Sequence, residues 1–234
     1  MVQKPYQRIA IAECGEPLVP IEVLGVVPVE PHPYAVLGAP YGDRSPFWLR
    51  LGIVERLVIA AAALGEEAPG WSIQIFDAYR PLAVQRFMVE HAFGELAIAA
   101  GLDPLALAQC PDDPMTQQLR RQVAEFWATP SDDPATPPPH STGAALDVTL
   151  LDGTGTAVDM GSPIDECSPR SYPDHFAGAT DGAGRRAHGH RQRLAQVMGA
   201  AGFVQHPNEW WHFSWGDQLW AWQTGAAIAH YGRC

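Results

Sequence analysis

Apolar residues recur at helical spacing across residues 46–64, at Leu49, Ile53, Leu57, Ala60, Ala61 and Leu64, and this predicts a core-packing helix. Gly65 follows as its expected C-cap. Across residues 71–76 the period changes to two, with Ile73 and Ile75 alternating with Ser72 and Gln74, so the stretch reads as a buried strand. Pro81 suits the first position of a helix expected over residues 81–100, because the N–H that proline lacks would have no partner there. Arg80 thus falls at a strand-to-helix junction. A further helix is expected over residues 115–128, and the Pro-, Ser-, Thr- and Asp-rich stretch 129–139 behind it reads as loop.

Alternation returns at residues 145–151, with Asp147 and Thr149 on one face and Leu146, Val148 and Leu150 on the other. Residues 159–185 are rich in Gly, Pro, Ser and Asp and form a long irregular connection, of the kind that often borders a pocket. A helix over 186–201 ending at Gly202, a short strand at 203–205 and a strand at 210–215 complete the pattern. Residues 1–46 show no sustained period and are expected to wrap the domain as loops and short strands. Without internal repeats or regular β-α-β alternation, the pattern predicts an α+β fold in which an antiparallel sheet is flanked by helices.

The chain has 234 residues, enough for one sizeable core, and one domain is expected over its whole length. Its formal net charge is −11, with no cluster of Lys or Arg suited to phosphates or anionic headgroups, which argues against nucleic acid and membrane partners. The first 16 residues lack the apolar run of a secretory signal, and no later stretch reaches the roughly 18 apolar residues of a membrane span. A soluble, cytoplasmic protein is therefore expected. Cys14, Cys110, Cys167 and Cys234 are widely spaced and form no C-x-x-C pair, so they read as reduced thiols.

Two segments stand out chemically. In His140-Ser-Thr-Gly-Ala-Ala-Leu-Asp147 a loop histidine precedes a strand carboxylate, and Gly143 between them lets the chain turn so that both face one point. Glu209-Trp-Trp-His-Phe213 embeds a carboxylate and a histidine in aromatics. Catalytic zinc typically takes three N or O ligands and leaves a fourth position to water, whose pKa it lowers to about 7. Two histidines and one carboxylate fill that set, and a further carboxylate can take the water's proton. Trp210, Trp211 and Trp215 would then supply a wall of low dielectric. On spacing alone His140 also reads as an exposed loop residue, Glu209 as a charge before a strand and the tryptophans as core.

Asp77-Ala-Tyr-Arg-Pro81, His140–Asp147, Asp159-Met-Gly161 and Glu209–Phe213 resemble, in order and spacing, the motifs of the D-alanyl-D-alanine dipeptidase family of zinc peptidases. The resemblance covers residues 76–222. It implies the fold shared by those dipeptidases, the related carboxypeptidases and hedgehog-type zinc domains, and one zinc ion per chain bound by His140, Asp147 and His212. It further implies that Glu209 is the general base and later the general acid, that Arg80 stabilises the oxyanion, and that the substrate is a small dipeptide such as D-alanyl-D-alanine. The alternative for Arg80 is a surface salt bridge to Asp77.

Two positions depart from the family pattern, Pro138 and Thr142, where members often carry serine and arginine. The acidic stretch 159–166 is a candidate partner for the substrate's ammonium end. A related carboxypeptidase acting on longer cell-wall peptides and a zinc module without catalysis are the rival readings. Retention of Glu209 and Arg80 argues against the second. His188 and His190 lie among arginines that repel a cation, and His32, His91, His175, His206 and His230 read as surface or ordinary buried residues.

Overall fold

The computed structural model describes residues 4–234, so the first three residues of the expected wrapping segment lie outside the described residues. The strands are β1 (Ala10–Ile11), β2 (Leu18–Pro20), β3 (Val26–Pro28), β4 (Trp48–Arg50), β5 (Ser72–Asp77), β6 (Ala145–Leu151), β7 (Val204–Gln205), β8 (His212–Ser214) and β9 (Ile228–Ala229). The helices are α1 (Pro33–Val36), α2 (Leu51–Glu67), α3 (Leu82–Ala99), α4 (Pro104–Ala108), α5 (Pro114–Phe126), α6 (Gly182–Ala200) and α7 (Gln218–Thr224).

Five strands form the central sheet in the order β3-β5-β6-β8-β7. All its pairings are antiparallel except at one edge, where β3 runs parallel to β5. The exception follows from connectivity: α2 lies between these two strands in sequence, and a helical crossover returns the chain in the same direction. Two small pairings, β1 with β9 and β2 with β4, tie down the N-terminal segment.

Helix α2 begins at Leu51 rather than at residue 46, because Trp48–Arg50 is drawn into pairing with β2. Its apolar stripe Ile53, Leu57, Ala60 and Leu64 is fully buried, as the spacing requires. Gly65 lies inside the helix, whose last carbonyls are met by Ala68 N–H donating to Leu64 O. Pro81 is the N-cap of α3 rather than its first residue. Helix α6 starts at Gly182, four residues before its expected start, since the Asp181 carboxylate accepts from Gly184 N–H and caps it. Helix α7, between its Asp217 cap and the left-handed Gly225, is hidden in an aromatic-rich stretch that shows no helical period.

Leu146, Val148 and Leu150 of β6 pack with Ile73, Ile75 and Phe213 against α2 and α6 in one core. A second core forms around α3 and α5, where Tyr34 and Tyr41 from the N-terminal segment meet Val84, Met88 and Phe93. With both sheet faces covered, β6 is buried along its whole length despite its alternating sequence. No helix among the described residues is long and apolar enough to cross a membrane.

Candidate metal centre and its pocket

The sheet register assembles the site. Asp147 on the central strand β6 is paired with His212 on β8 and, on its other side, with Asp77 on β5. Simple alternation would send Asp77 after Ile73 and Ile75 into the core under α2. A β-bulge between Ile75 and Asp77 breaks the alternation and leaves Asp77 opposite Asp147. Three polar side chains thus lie in a row across three strands.

His140 reaches the row from the 3₁₀ turn Pro139–Thr142, which Gly143 closes at φ 70°. A Cβ there would lie 2.4 Å from Leu18 Cδ2, so space and backbone both call for glycine. The turn is tied to the end of β5 by Arg80 N–H donating to His140 O at 3.2 Å and by the Ser141 hydroxyl donating to Arg80 O at 2.8 Å.

His140 Nε2 lies 3.1 Å from His212 Nδ1 and 3.3 Å from Asp147 Oδ2, and His212 Nδ1 lies 3.1 Å from Asp147 Oδ1. His140 Nδ1 donates to Ala78 O at 2.7 Å, which leaves Nε2 with a bare lone pair. Ser214 Oγ, 3.3 Å from His212 Nε2, offers the matching acceptor that frees His212 Nδ1. Buried lone pairs and a carboxylate that converge in this way need a cation between them. A tetrahedral ion with N and O ligands at about 2.0–2.1 Å spaces those ligands about 3.3 Å apart, so the donor set and its spacing fit a divalent metal.

Arg80 is buried beside this set. Its Nε lies 2.9 Å and its Nη2 2.8 Å from Asp77 Oδ2, its Nη2 3.2 Å from Asp147 Oδ2, and its Nη1 donates to Gln85 Oε1 at 3.0 Å. Tyr34 and Trp127 stack on the guanidinium at 5.1 and 5.0 Å. Asp77 also accepts from His32 Nε2 at 3.0 Å and from the Tyr41 hydroxyl at 2.9 Å. Burial works against the Asp77 charge, yet Arg80 and the His32 hydrogen bond keep its carboxyl below the usual range. The ion pair that the sequence offers as an alternative role for Arg80 therefore exists, but at 4% and 0% exposure it is no surface bridge.

Glu209 completes the centre, with Oε2 3.7 Å from His212 Nδ1 and Oε1 3.2 Å from His206 Nδ1. Burial first, and the Asp147 charge second, raise its carboxyl well above the usual range. Burial, then His212, push the His206 ring well below its usual range, so that ring is neutral.

Asp165 lines the same pocket and accepts from the Tyr34 hydroxyl at 2.8 Å. Burial and then Asp147 raise its carboxyl to about 7. Its backbone is held at φ 68°, a left-handed conformation tolerated best by Asp and Asn among residues with a Cβ. The loop that carries it is braced by the buried Arg191, which donates to the carbonyls of Met160, Tyr172 and Arg170 at 2.7, 2.7 and 2.9 Å and to Ser162 Oγ at 3.0 Å.

The five residues singled out in the sequence, His140, Asp147, His212, Glu209 and Arg80, line one small pocket. Of the three tryptophans only Trp211 lines it; Trp210 turns away to donate to Ser162 Oγ, and Trp215 lies under Arg56. Trp127, from the end of α5, supplies wall that the sequence did not mark. Thr142 folds its hydroxyl onto Pro139 O at 2.6 Å, so it serves the turn and not the pocket. His188 and His190 lie outside the pocket, as expected, with His190 Nδ1 donating to Asp159 O. His32 and His206 are the corrections: one anchors Asp77 and the other touches Glu209. For His206 its place three residues before Glu209 was an available signal; for Asp165 and Trp127 there was none beyond composition.

The family described as D-ala-D-ala dipeptidase matches residues 28–229. A curated D-alanyl-D-alanine dipeptidase from Synechocystis sp. is 48% identical over 242 aligned residues, covering 98% of this chain and 96% of that protein. The enzyme of the same name from Enterococcus faecalis is 29% identical over 166 residues, 69% of this chain and 71% of its own, and the one from Escherichia coli is 40% identical over 74 residues, 32% and 36% of the two chains.

Proposed function

Because the chain belongs to the D-ala-D-ala dipeptidase family of peptidases, we propose that it hydrolyses D-alanyl-D-alanine or a closely similar dipeptide, with one zinc ion held by His140, Asp147 and His212. One observation carries the reading: three converging ligand atoms share one small pocket with a carboxyl of raised pKa and a buried arginine. His140, Asp147 and His212 would hold the zinc, which would supply polarisation of water and of the substrate carbonyl. Glu209 accepts a proton from the attacking water as its oxygen bonds to the peptide carbon. The C–N bond then breaks and Glu209 delivers that proton to the leaving amine, which yields two amino acids. Arg80, kept charged by Asp77, stabilises the oxygen that gains charge along the way.

The small pocket suits a dipeptide better than a longer chain. Asp165 is suited to the substrate's ammonium, since a carboxyl lifted to about 7 by burial lacks the counter-charge that an ammonium brings. A cytoplasmic setting is supported by four unpaired cysteines.

The test is hydrolysis of D-Ala-D-Ala, L-Ala-L-Ala and a longer wall peptide, with and without chelator. The expected result is chelator-sensitive cleavage confined to the D,D-dipeptide; preference for the longer peptide would make the protein a carboxypeptidase, and no cleavage a binding module. Arg80→Ala is expected to lower kcat by about 10²–10³ with little change in KM, because the charge it meets develops only beyond the ground state. A change confined to KM would make Arg80 a substrate-binding residue. Arg80→Lys, which keeps the charge beside Asp77, controls for loss of folding.

A further inference from the structure

The pocket is rich in negative charge. Asp147, Asp165 and Glu209 line it, and of its two cations Arg80 is bound to Asp77 and Asp147. A dipeptide acid brings a further carboxylate into this field, and nothing described so far would receive it. The second cation is Lys4. Its side chain lines the pocket and also the adjoining outer hollow formed with Arg120, Arg121, Glu125 and Thr129. No carboxylate of the described residues lies within ion-pair distance of its ammonium. Glu209 and Glu125 are the acidic groups whose charge acts on it most, and Glu125 lies on α5.

From this arrangement, and resting on the dipeptidase reading, we propose that Lys4 binds the C-terminal carboxylate of the substrate at the junction of pocket and outer hollow. Half-buried and without a carboxylate partner, the ammonium has lost part of its hydration, which an incoming anion would offset. Burial lowers its hold on the proton, and Glu209 and Glu125 partly restore it. Asp165 and Lys4 together would give the pocket one group of each sign for the two termini of a zwitterion.

The backbone of Lys4 donates to Gln7 Oε1 and accepts from Gln7 N–H, and neither bond involves the side chain. Lys4→Met therefore leaves the 3₁₀ turn Pro5–Arg8 its anchors. The experiment compares kcat and KM of the zinc-loaded wild-type, Lys4→Met and Lys4→Arg chains on D-Ala-D-Ala and on its C-terminal carboxamide, with thermal midpoints measured alongside. The expected result is a wild type that prefers the acid, a Lys4→Met chain whose KM for the acid rises about ten- to hundredfold with kcat nearly unchanged, and a preference for acid over amide that collapses. Lys4→Arg should retain most of the preference. A Lys4→Met chain that keeps the wild-type preference overturns the assignment of Lys4 and leaves the dipeptidase reading standing. A wild type that cleaves neither compound overturns both.

Discussion

Glu209→Gln is expected to keep its zinc and its fold while kcat falls by about 10²–10⁴, towards the upper end because one residue serves two proton transfers. The amide preserves the shape of a side chain that is 6% exposed, so packing against His206 and His212 survives. What it loses is the ability to take a proton and hand it on. The raised pKa of Glu209 suits the second half of that task, since a carboxyl that holds its proton readily is able to present it to the leaving amine. Zinc content, thermal midpoint and D-Ala-D-Ala turnover on one preparation decide the matter. Near-normal turnover would remove Glu209 from the mechanism, and a fall in zinc content would make it a fourth ligand.

His140→Ala, Asp147→Ala and His212→Ala should each lose both zinc and activity, because each removes one of three ligand atoms that lie within 4.8 Å of one another. Binding linkage supplies a readout independent of catalysis. An ion present at about 100 times its Kd stabilises the folded state by about 2.7 kcal/mol, which for a domain of this size raises the thermal midpoint by roughly 5–10 °C. Wild-type protein should show that rise when zinc is added, and the three variants should not. Full zinc occupancy in any one of them would strike that residue from the ligand set.

The candidate site was legible because each half of it is local. His140 and Asp147 are separated by a turn that favours glycine, and Glu209 and His212 straddle the start of a short strand, so neighbours in sequence remain neighbours in space. Helix α2 was legible from its apolar period and α3 from the proline before it, and α5 and α6 were also expected, with errors at their ends where a cap or a strand pairing took over. What escaped depends on segments that meet only in the folded chain. Lys4, His32 and Tyr34 come from a stretch without period, Trp127 from the end of a helix and Asp165 from an irregular loop, and none carries a local sign of the centre it joins. The parallel edge strand β3 is too short, at three residues, for alternation to register.

Asp77 also has a part in how the chain finds its pairing. In a regular ladder between β5 and β6, without the extra residue after Ile75, its carboxylate would point among the apolar side chains under α2, away from Arg80, His32 and Tyr41. An uncompensated carboxylate in such surroundings costs several kcal/mol or must take up a proton, whereas in the bulged register it meets a guanidinium, an imidazole and a phenol. The regular register is thus the one that Asp77 penalises during folding, and the offset that brings it opposite Asp147 is selected by the same charge that later holds Arg80 in place.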